Sequence, residues 1–348
     1  MDRVLMLEEI REQPAAFSRV LDLEWDTARE IAREVQRRDV RFAVIAARGS
    51  SDNAASFGKY LLEIENGLPV SLASPSVLGL YGARMRLEHG LVIGISQSGQ
   101  APDVTEVLAR SKDMGALTVA ITNTEGSVMA ETADYVLLCR AGEERSVAAT
   151  KTYTNSLGAL YLLSAALGGR TANLLDLVRS LPDRMQRVIQ MENLIRGRVE
   201  RYRYMDECVV ISRGLNFATA YEVALKLTET CYIVAEPYSS SDFMHGPIAM
   251  VEESFPCLLF APDGVCLPGM VELAQQLRER RAEVIAFGES ADVLDLATTR
   301  FPMPDQVPEL LSPAVYVIAG QLFACWLSLT RGLDPDAPRG LRKVTRTH

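Results

Sequence analysis

Short apolar runs recur along the chain, each ending in a turn that carries glycine or serine. In the first half they read RFAVIAA (41–47), LVIGI (91–95) and ALTVAIT (116–122). Runs of this length, rich in Val and Ile and followed by amphipathic stretches, predict strands buried on both faces of a parallel sheet. The second half repeats the pattern as ECVVIS (207–212), CLLFA (257–261) and AEVIAFG (282–288). A single displacement of 165 residues carries Arg48-Gly49 onto Arg213-Gly214, Ser98-Gly99 onto Asp263-Gly264 and Val119 onto Val284. The predicted fold class is therefore α/β, with two tandem doubly wound parallel-sheet lobes of flavodoxin-like type.

The stretches between and around these runs set the expected boundaries. Residues 1–34 have helical periodicity, the first lobe is expected over 35–178, a bridging helix over 179–204, the second lobe over 205–335 and a polar tail over 336–348. Two long runs lack charge, 152–169 and 310–330. The second is long enough to span a bilayer, but Pro313 suits a first helical turn and a similar run closes the first half, so a pair of buried core helices is the better reading.

Composition narrows the class of partner. A chain of 348 residues with net charge −9 and pI near 5.1 has no concentrated basic face, which argues against nucleic acid and anionic membrane. The six cysteines are scattered without a CxxC pair, so neither a disulfide framework nor a zinc site is indicated, and a reducing cytoplasm fits. The N-terminus places Asp2, Arg3, Glu8 and Glu9 where a signal peptide would be apolar.

An anion must then be held locally. After the strand 91–95, Ser96-Gln97-Ser98-Gly99 turns the chain into a helix that Pro102 opens, so backbone amides, the positive end of a helix dipole and two hydroxyls converge. Gly49, Ser50 and Ser51 repeat the design after the first strand. Both turns fall at carboxyl ends of parallel strands, where open α/β sheets bind ligands. The competing reading is that these residues only cap helices.

Candidate acid–base groups lie in the second half. Of three histidines, His348 ends the chain, His89 sits in a charged loop, and His245 stands in a turn before Gly246-Pro247. On the helix expected over 221–233, Glu222, Lys226 and Glu229 share one face, which on pattern alone reads as a solvated ion-pair stripe. A carboxylate beside a sugar can instead move a proton between adjacent carbons while a histidine opens the ring, which makes Glu229 and His245 a sensible pair.

Seven segments, MLEEIREQP (6–14), ARGSSDNA (47–54), ISQSG (95–99), VAATKTY (147–153), EVALKLTET (222–230), EPYSSSDFMHGP (236–247) and APRGLRKVT (337–345), together resemble the tandem sugar-isomerase family. The resemblance is closest to type II glucosamine-6-phosphate deaminases, with the isomerase half of glucosamine-6-phosphate synthase as a near relative. It implies a homodimer with its active site near the subunit interface, a phosphorylated amino sugar bound through Ser51, Ser96, Gln97 and Ser98, and backbone contacts from Val147 and Ala148. It further implies that Glu229 moves the C1/C2 proton and that His245 assists ring opening, from its own or the neighbouring subunit. Lys343 would be the C-terminal active-site lysine and Lys226 a further site residue, with no metal or organic cofactor required.

Departures from the family pattern bear on the substrate. Ala101 stands where the synthase has a threonine, Ala149 where it has a serine, and Asn53 where the deaminase has a histidine. The sequence starts close to the isomerase-like segment, without a glutaminase half, so the expected direction is degradative: ketose imine formation and hydrolysis to fructose 6-phosphate and ammonia. A deglycase acting on fructosamine 6-phosphates and a non-catalytic sugar-phosphate sensor are the alternatives.

Overall fold

A computed structural model describes residues 3–343; His348 and the rest of the tail beyond Lys343 lie outside them. The described residues divide into two compact units, one built from Glu12–Glu144, Ala149–Pro182 and residues 341–343, the other from residues 3–11, Arg145–Ala148 and Asp183–Gly340.

The first of these units holds five strands, β1 (Phe42–Ala46), β2 (Val70–Leu72), β3 (Gly90–Ile95), β4 (Leu117–Thr122) and β5 (Tyr135–Leu138), in spatial order β2-β1-β3-β4-β5. Every pairing is parallel, in a register that sets Val44 beside Val92 and Ile93 beside Val119. All six residues of β3 and of β4 are buried, which is why these strands read as continuous apolar runs with no alternation. The helices Gln13–Leu23, Trp25–Arg37 and Ser50–Asn66 pack on the Lys151–Leu167 helix. That helix is buried from Lys151 through Ser164, the expected core element.

The second unit repeats the plan with β6 (Glu207–Ser212), β7 (Val234–Ser239), β8 (Pro256–Ala261), β9 (Glu283–Gly288) and β10 (Thr299–Pro302) in the order β7-β6-β8-β9-β10, again all parallel. The duplication read from the sequence is thus a duplication of topology. The stretch Glu309–Thr330 is long and apolar enough to cross a membrane, yet every residue from Ser312 through Ser328 is buried. A Cβ on Gly320 would stand 2.2 Å from Val223 Cγ2, so glycine there lets this core helix lie directly against the Phe217–Cys231 helix. That second helix carries the candidate carboxylates.

Two expectations about boundaries need correction. The stretch expected as one bridging helix over 179–204 consists of separate helices, Leu181–Ile189 and Glu192–Val199, and a 3-10 turn, Glu200–Tyr202. The break falls where the Met191 amide bonds the carbonyl three residues back, at Val188, tightening the last turn. The expected N-terminal helical segment is also divided: Leu5–Arg11 belongs to the second unit, while Gln13–Leu23 and Trp25–Arg37 belong to the first, the latter running past residue 34.

Candidate active site

In both sheets the chain order reverses direction between the first and third strands of the lobe, so the connecting helices leave on opposite faces and open a crevice at the carboxyl ends. In the first unit that switch point lies between β1 and β3. The turns that follow those strands are Arg48-Gly49-Ser50-Ser51 and Ser96-Gln97-Ser98-Gly99, and an ion pair of 2.6 Å from Arg48 Nε to Asp103 Oδ2 ties the first of them to the helix that follows the second.

The turn after β3 is built to leave donors unused. Ser96 donates its amide to the Ile121 carbonyl and the Gln97 carbonyl accepts from Asn123, which fixes the backbone against β4. The Gly99 amide closes the turn on the Ser96 carbonyl at 3.1 Å, and Gly99 adopts φ +60°. A Cβ there would sit 2.0 Å from Ser127 Oγ, so no other residue fits. Between these anchors the amides of Gln97 and Ser98 have no acceptor among the described residues. They lie ahead of the Pro102–Asp113 helix, whose N-cap, Ala101, offers no side-chain cap. The Ser50–Asn66 helix likewise starts from Gly49 without a side-chain cap. Ser98 Oγ accepts from the Gln100 amide at 3.2 Å inside the turn, which leaves the Gln97 and Ser98 amides as the donors without an acceptor among the described residues, at the start of a helix.

The equivalent turn of the second unit is closed. Asp263 stands where the first lobe has Ser98, and the Val265 amide donates to Glu309 Oε2 at 2.7 Å. Asp263, Glu289 and Asp305 line the adjoining cavity of about 550 Å³, where burial and the nearby Asp263 push the Glu289 carboxyl up. An internal carboxylate already takes the place an anion would need.

The face of the Phe217–Cys231 helix is not a solvated stripe. Glu222 and Lys226 are 0% exposed, and Lys226 Nζ lies 2.6 Å from Glu229 Oε2 and 3.5 Å from Glu222 Oε1. Burying an ammonium is costly unless paired, and here two carboxylates at the i−4 and i+3 positions supply the pairing. The outermost, Glu229, keeps 23% of its side chain exposed, so a buried ion pair aims a partly open carboxylate.

Lys343 is not a loose tail lysine. Its Nζ donates to Glu144 Oε2 at 2.8 Å, and the Glu144 side chain is fully buried. Glu144 also accepts from the amides of Thr150 (2.9 Å) and Thr152 (3.1 Å) and from Thr152 Oγ1 (2.6 Å) at the start of the Lys151–Leu167 helix. Burial would push this carboxyl up, but the Lys343 ammonium and these hydrogen bonds outweigh it and hold it below its ordinary value. Glu144 was missed in the sequence because nothing in Gly142-Glu143-Glu144-Arg145 distinguishes one acidic loop residue from the next.

His245 is exposed, follows the short Ser240–Met244 helix, and makes no hydrogen bond or ion pair to Glu229 among the described residues. Val147 and Ala148 lie in the second unit, Ala148 buried and the Val147 amide donating to the Asp336 carbonyl at 3.1 Å. Ser51 donates its amide to the Arg48 carbonyl. His89 is exposed and bonds the Asp39 carbonyl at 3.1 Å, away from the candidate groups.

Comparison with known proteins places this geometry. The glutamine–fructose-6-phosphate aminotransferase (isomerizing) of Methanothermobacter thermautotrophicus is 35% identical over 340 residues, covering 97% of this chain and 56% of that protein. The chain thus spans about half the length of this relative. The C-terminal domain of glucosamine-fructose-6-phosphate aminotransferase from Francisella tularensis has a solved structure of TM-score 0.88 at 26% identity, covering 97% of this chain and 99% of that one. The glucosamine-6-phosphate deaminase of Thermotoga maritima shares the fold, with TM-score 0.78 over 98% of this chain and 99% of that one, at only 20% identity. Similarity in sequence thus runs to an aminotransferase where the motifs had pointed first to a deaminase. The SIS domain matches residues 38–166 and 205–331, one copy on each sheet, and the chain belongs to that family.

Proposed function

We propose that this chain interconverts an amino-aldose 6-phosphate and its ketose through a C1/C2 proton transfer, and that in the presence of water it releases the nitrogen as ammonium. The observation that carries this reading is the Lys226–Glu229 contact of 2.6 Å, which fixes a partly exposed carboxylate on a helix otherwise buried on that face. A proton shuttle needs a carboxylate held in one orientation with one side free for substrate.

The steps balance without a cofactor. The ring of glucosamine 6-phosphate opens as the C1 hydroxyl loses a proton and the ring oxygen gains one, with His245 as the assisting group. Glu229 takes the C2 proton, giving an enolamine, and returns it to C1, giving the C2 ketimine. Water adds to that ketimine and ammonium departs, leaving fructose 6-phosphate. Ser51, Ser96, Gln97 and Ser98 hold the phosphate, and Val147 and Ala148 contact the sugar through their backbone. Lys343, fixed by Glu144, supplies an amine able to condense with the ketose carbonyl or, as ammonium, to protonate a departing oxygen.

The 35% identity to an aminotransferase favours a second reading, in which the same residues run toward amination when a nitrogen donor is supplied. One assay set separates the possibilities: ammonium release from glucosamine 6-phosphate and galactosamine 6-phosphate, amino-acid release from fructosamine 6-phosphates, and glucosamine 6-phosphate formation from fructose 6-phosphate with ammonium. Ammonium release that Glu229→Gln abolishes is the expected result. Turnover of fructosamine conjugates alone would replace it with a deglycase, and binding without turnover of any of them would leave a sensor.

A further inference from the structure

The first helix of the chain, Leu5–Arg11, lies far in sequence from every motif of the candidate site, yet it carries a buried carboxylate that the chemistry above leaves unused. Glu9 is 4% exposed, with Met6, Leu7 and Ile10 buried beside it. Its Oε1 accepts from the Arg145 amide at 2.5 Å, and its two oxygens lie 3.4 and 3.3 Å from the Ser146 amide. These are the two residues immediately before Val147 and Ala148.

A second clamp closes on the same loop. The Asp336 carbonyl accepts from the Val147 amide at 3.1 Å, while its carboxylate accepts from the amides of Leu5 and Met6 at 2.7 Å each, at the start of the helix. Asp336 is itself steadied by Asp334 Oδ1, which takes its amide at 2.9 Å. Three consecutive amides of a loop, 145 through 147, are thus held by one helix and by the residue that caps it.

We propose that Glu9 is a positioning residue for the sugar-contacting loop Arg145–Ala148, and that Asp336 locks the Leu5–Arg11 helix and that loop together. A carboxylate is suited to this task because it accepts from several amides at once, and charge-assisted bonds are shorter and stronger than neutral ones. The alternative, that Glu9 merely satisfies a buried loop, predicts a loss of stability without a specific loss of substrate affinity. The inference rests on the assignment of Val147 and Ala148 to sugar binding made above.

The test uses the full chain with Glu9→Gln, which keeps shape and one acceptor oxygen, and Asp336→Asn, with Glu8→Gln on the same helix as control. Fructose 6-phosphate affinity is measured by calorimetry, amide hydrogen exchange at 145–147 by NMR, and thermal unfolding alongside. Glu9→Gln is expected to weaken fructose 6-phosphate binding about tenfold and to speed exchange at Arg145 and Ser146, while inorganic phosphate binding stays within about twofold of the parent. Asp336→Asn is expected to act on the amides of Leu5, Met6 and Val147. Unchanged exchange in Glu9→Gln would remove the clamp, and faster exchange with unchanged fructose 6-phosphate affinity would reduce Glu9 to a structural residue. Failure of the parent to turn over any amino-sugar phosphate would count against the proposed reaction but not against this inference, which is read by binding.

Discussion

The Glu144–Lys343 contact offers the sharpest test of how the tail is held. At 2.8 Å, opposite unit charges attract by about 6 kcal/mol at an effective dielectric constant of about 20. Desolvation of Glu144, whose side chain is 0% exposed, opposes this, and Lys343 at 23% exposed remains partly screened. The amides of Thr150 and Thr152 and the Thr152 hydroxyl hold the carboxylate whether or not lysine is present, so its removal leaves a carboxylate that is still hydrogen-bonded. A net coupling of about 2 kcal/mol follows, in the range of hydrogen bonds to charged groups. The assay is a double-mutant cycle of Lys343→Met and Glu144→Gln, read by urea unfolding and by turnover. Lys343→Met alone is expected to destabilise by about 2 kcal/mol, and Glu144→Gln by more, because it also weakens the start of the Lys151–Leu167 helix. In the cycle, turnover should fall by about the same factor for either single variant and little further for the double, since both displace one amine. A coupling below about 0.5 kcal/mol would refute the view that Glu144 fixes the lysine.

Three further outcomes follow from the same geometry. Gly99→Ala should lose phosphosugar binding and about 3 kcal/mol of stability, because its Cβ would stand 2.0 Å from Ser127 Oγ at φ +60°; calorimetry and urea unfolding check both. Glu229→Gln should lower kcat by about a hundredfold or more and abolish exchange of the C2 proton with deuterated solvent, and it should also lower the melting temperature because the buried Lys226 loses its nearer carboxylate. The Glu144 carboxyl is held below its ordinary 4.5 in the folded protein, so the folded state takes up this proton less readily than the unfolded chain. Its stabilising contribution is therefore complete above about pH 4.5 and is lost as the pH falls through the folded value, and in Lys343→Met that loss should begin at higher pH, as urea unfolding between about pH 3 and 7 would record.

Much of the architecture was legible because parallel strands buried on both faces leave a direct trace in apolar runs, and because the two lobes keep their turns in step. The strand, the Ser-Gly turn and the helix opened by Pro102 were legible for a similar local reason, since they lie in one continuous segment. The bridge was not, because the sequence 179–204 keeps helical periodicity through Met191 while the backbone tightens there. The charged face of the Phe217–Cys231 helix was misleading for another reason. Its i, i+4 and i+3 spacing is that of a surface stripe, but the helix packs against the Ser312–Thr330 helix and against β6 and β7, and Glu222 and Lys226 are buried.

The sequence by itself determined the two parallel sheets, their duplication at a fixed displacement, and the Gly-Ser turns that close the first and third strands of the first lobe. These are properties of contiguous segments, in which periodicity, glycine and proline act over a few residues. The tertiary structure alone decided which charges are buried and which are paired: Lys226 between Glu222 and Glu229, Lys343 on Glu144, Glu9 on the amides of Arg145 and Ser146, and Glu309 in the second lobe's own turn. Except on the Phe217–Cys231 helix and between Lys226 and its neighbours, those partners are separated by tens to hundreds of residues. Whether a charge costs or contributes depends on the dielectric around it and on a partner within about 3 Å, and neither is written in the residues adjacent to it.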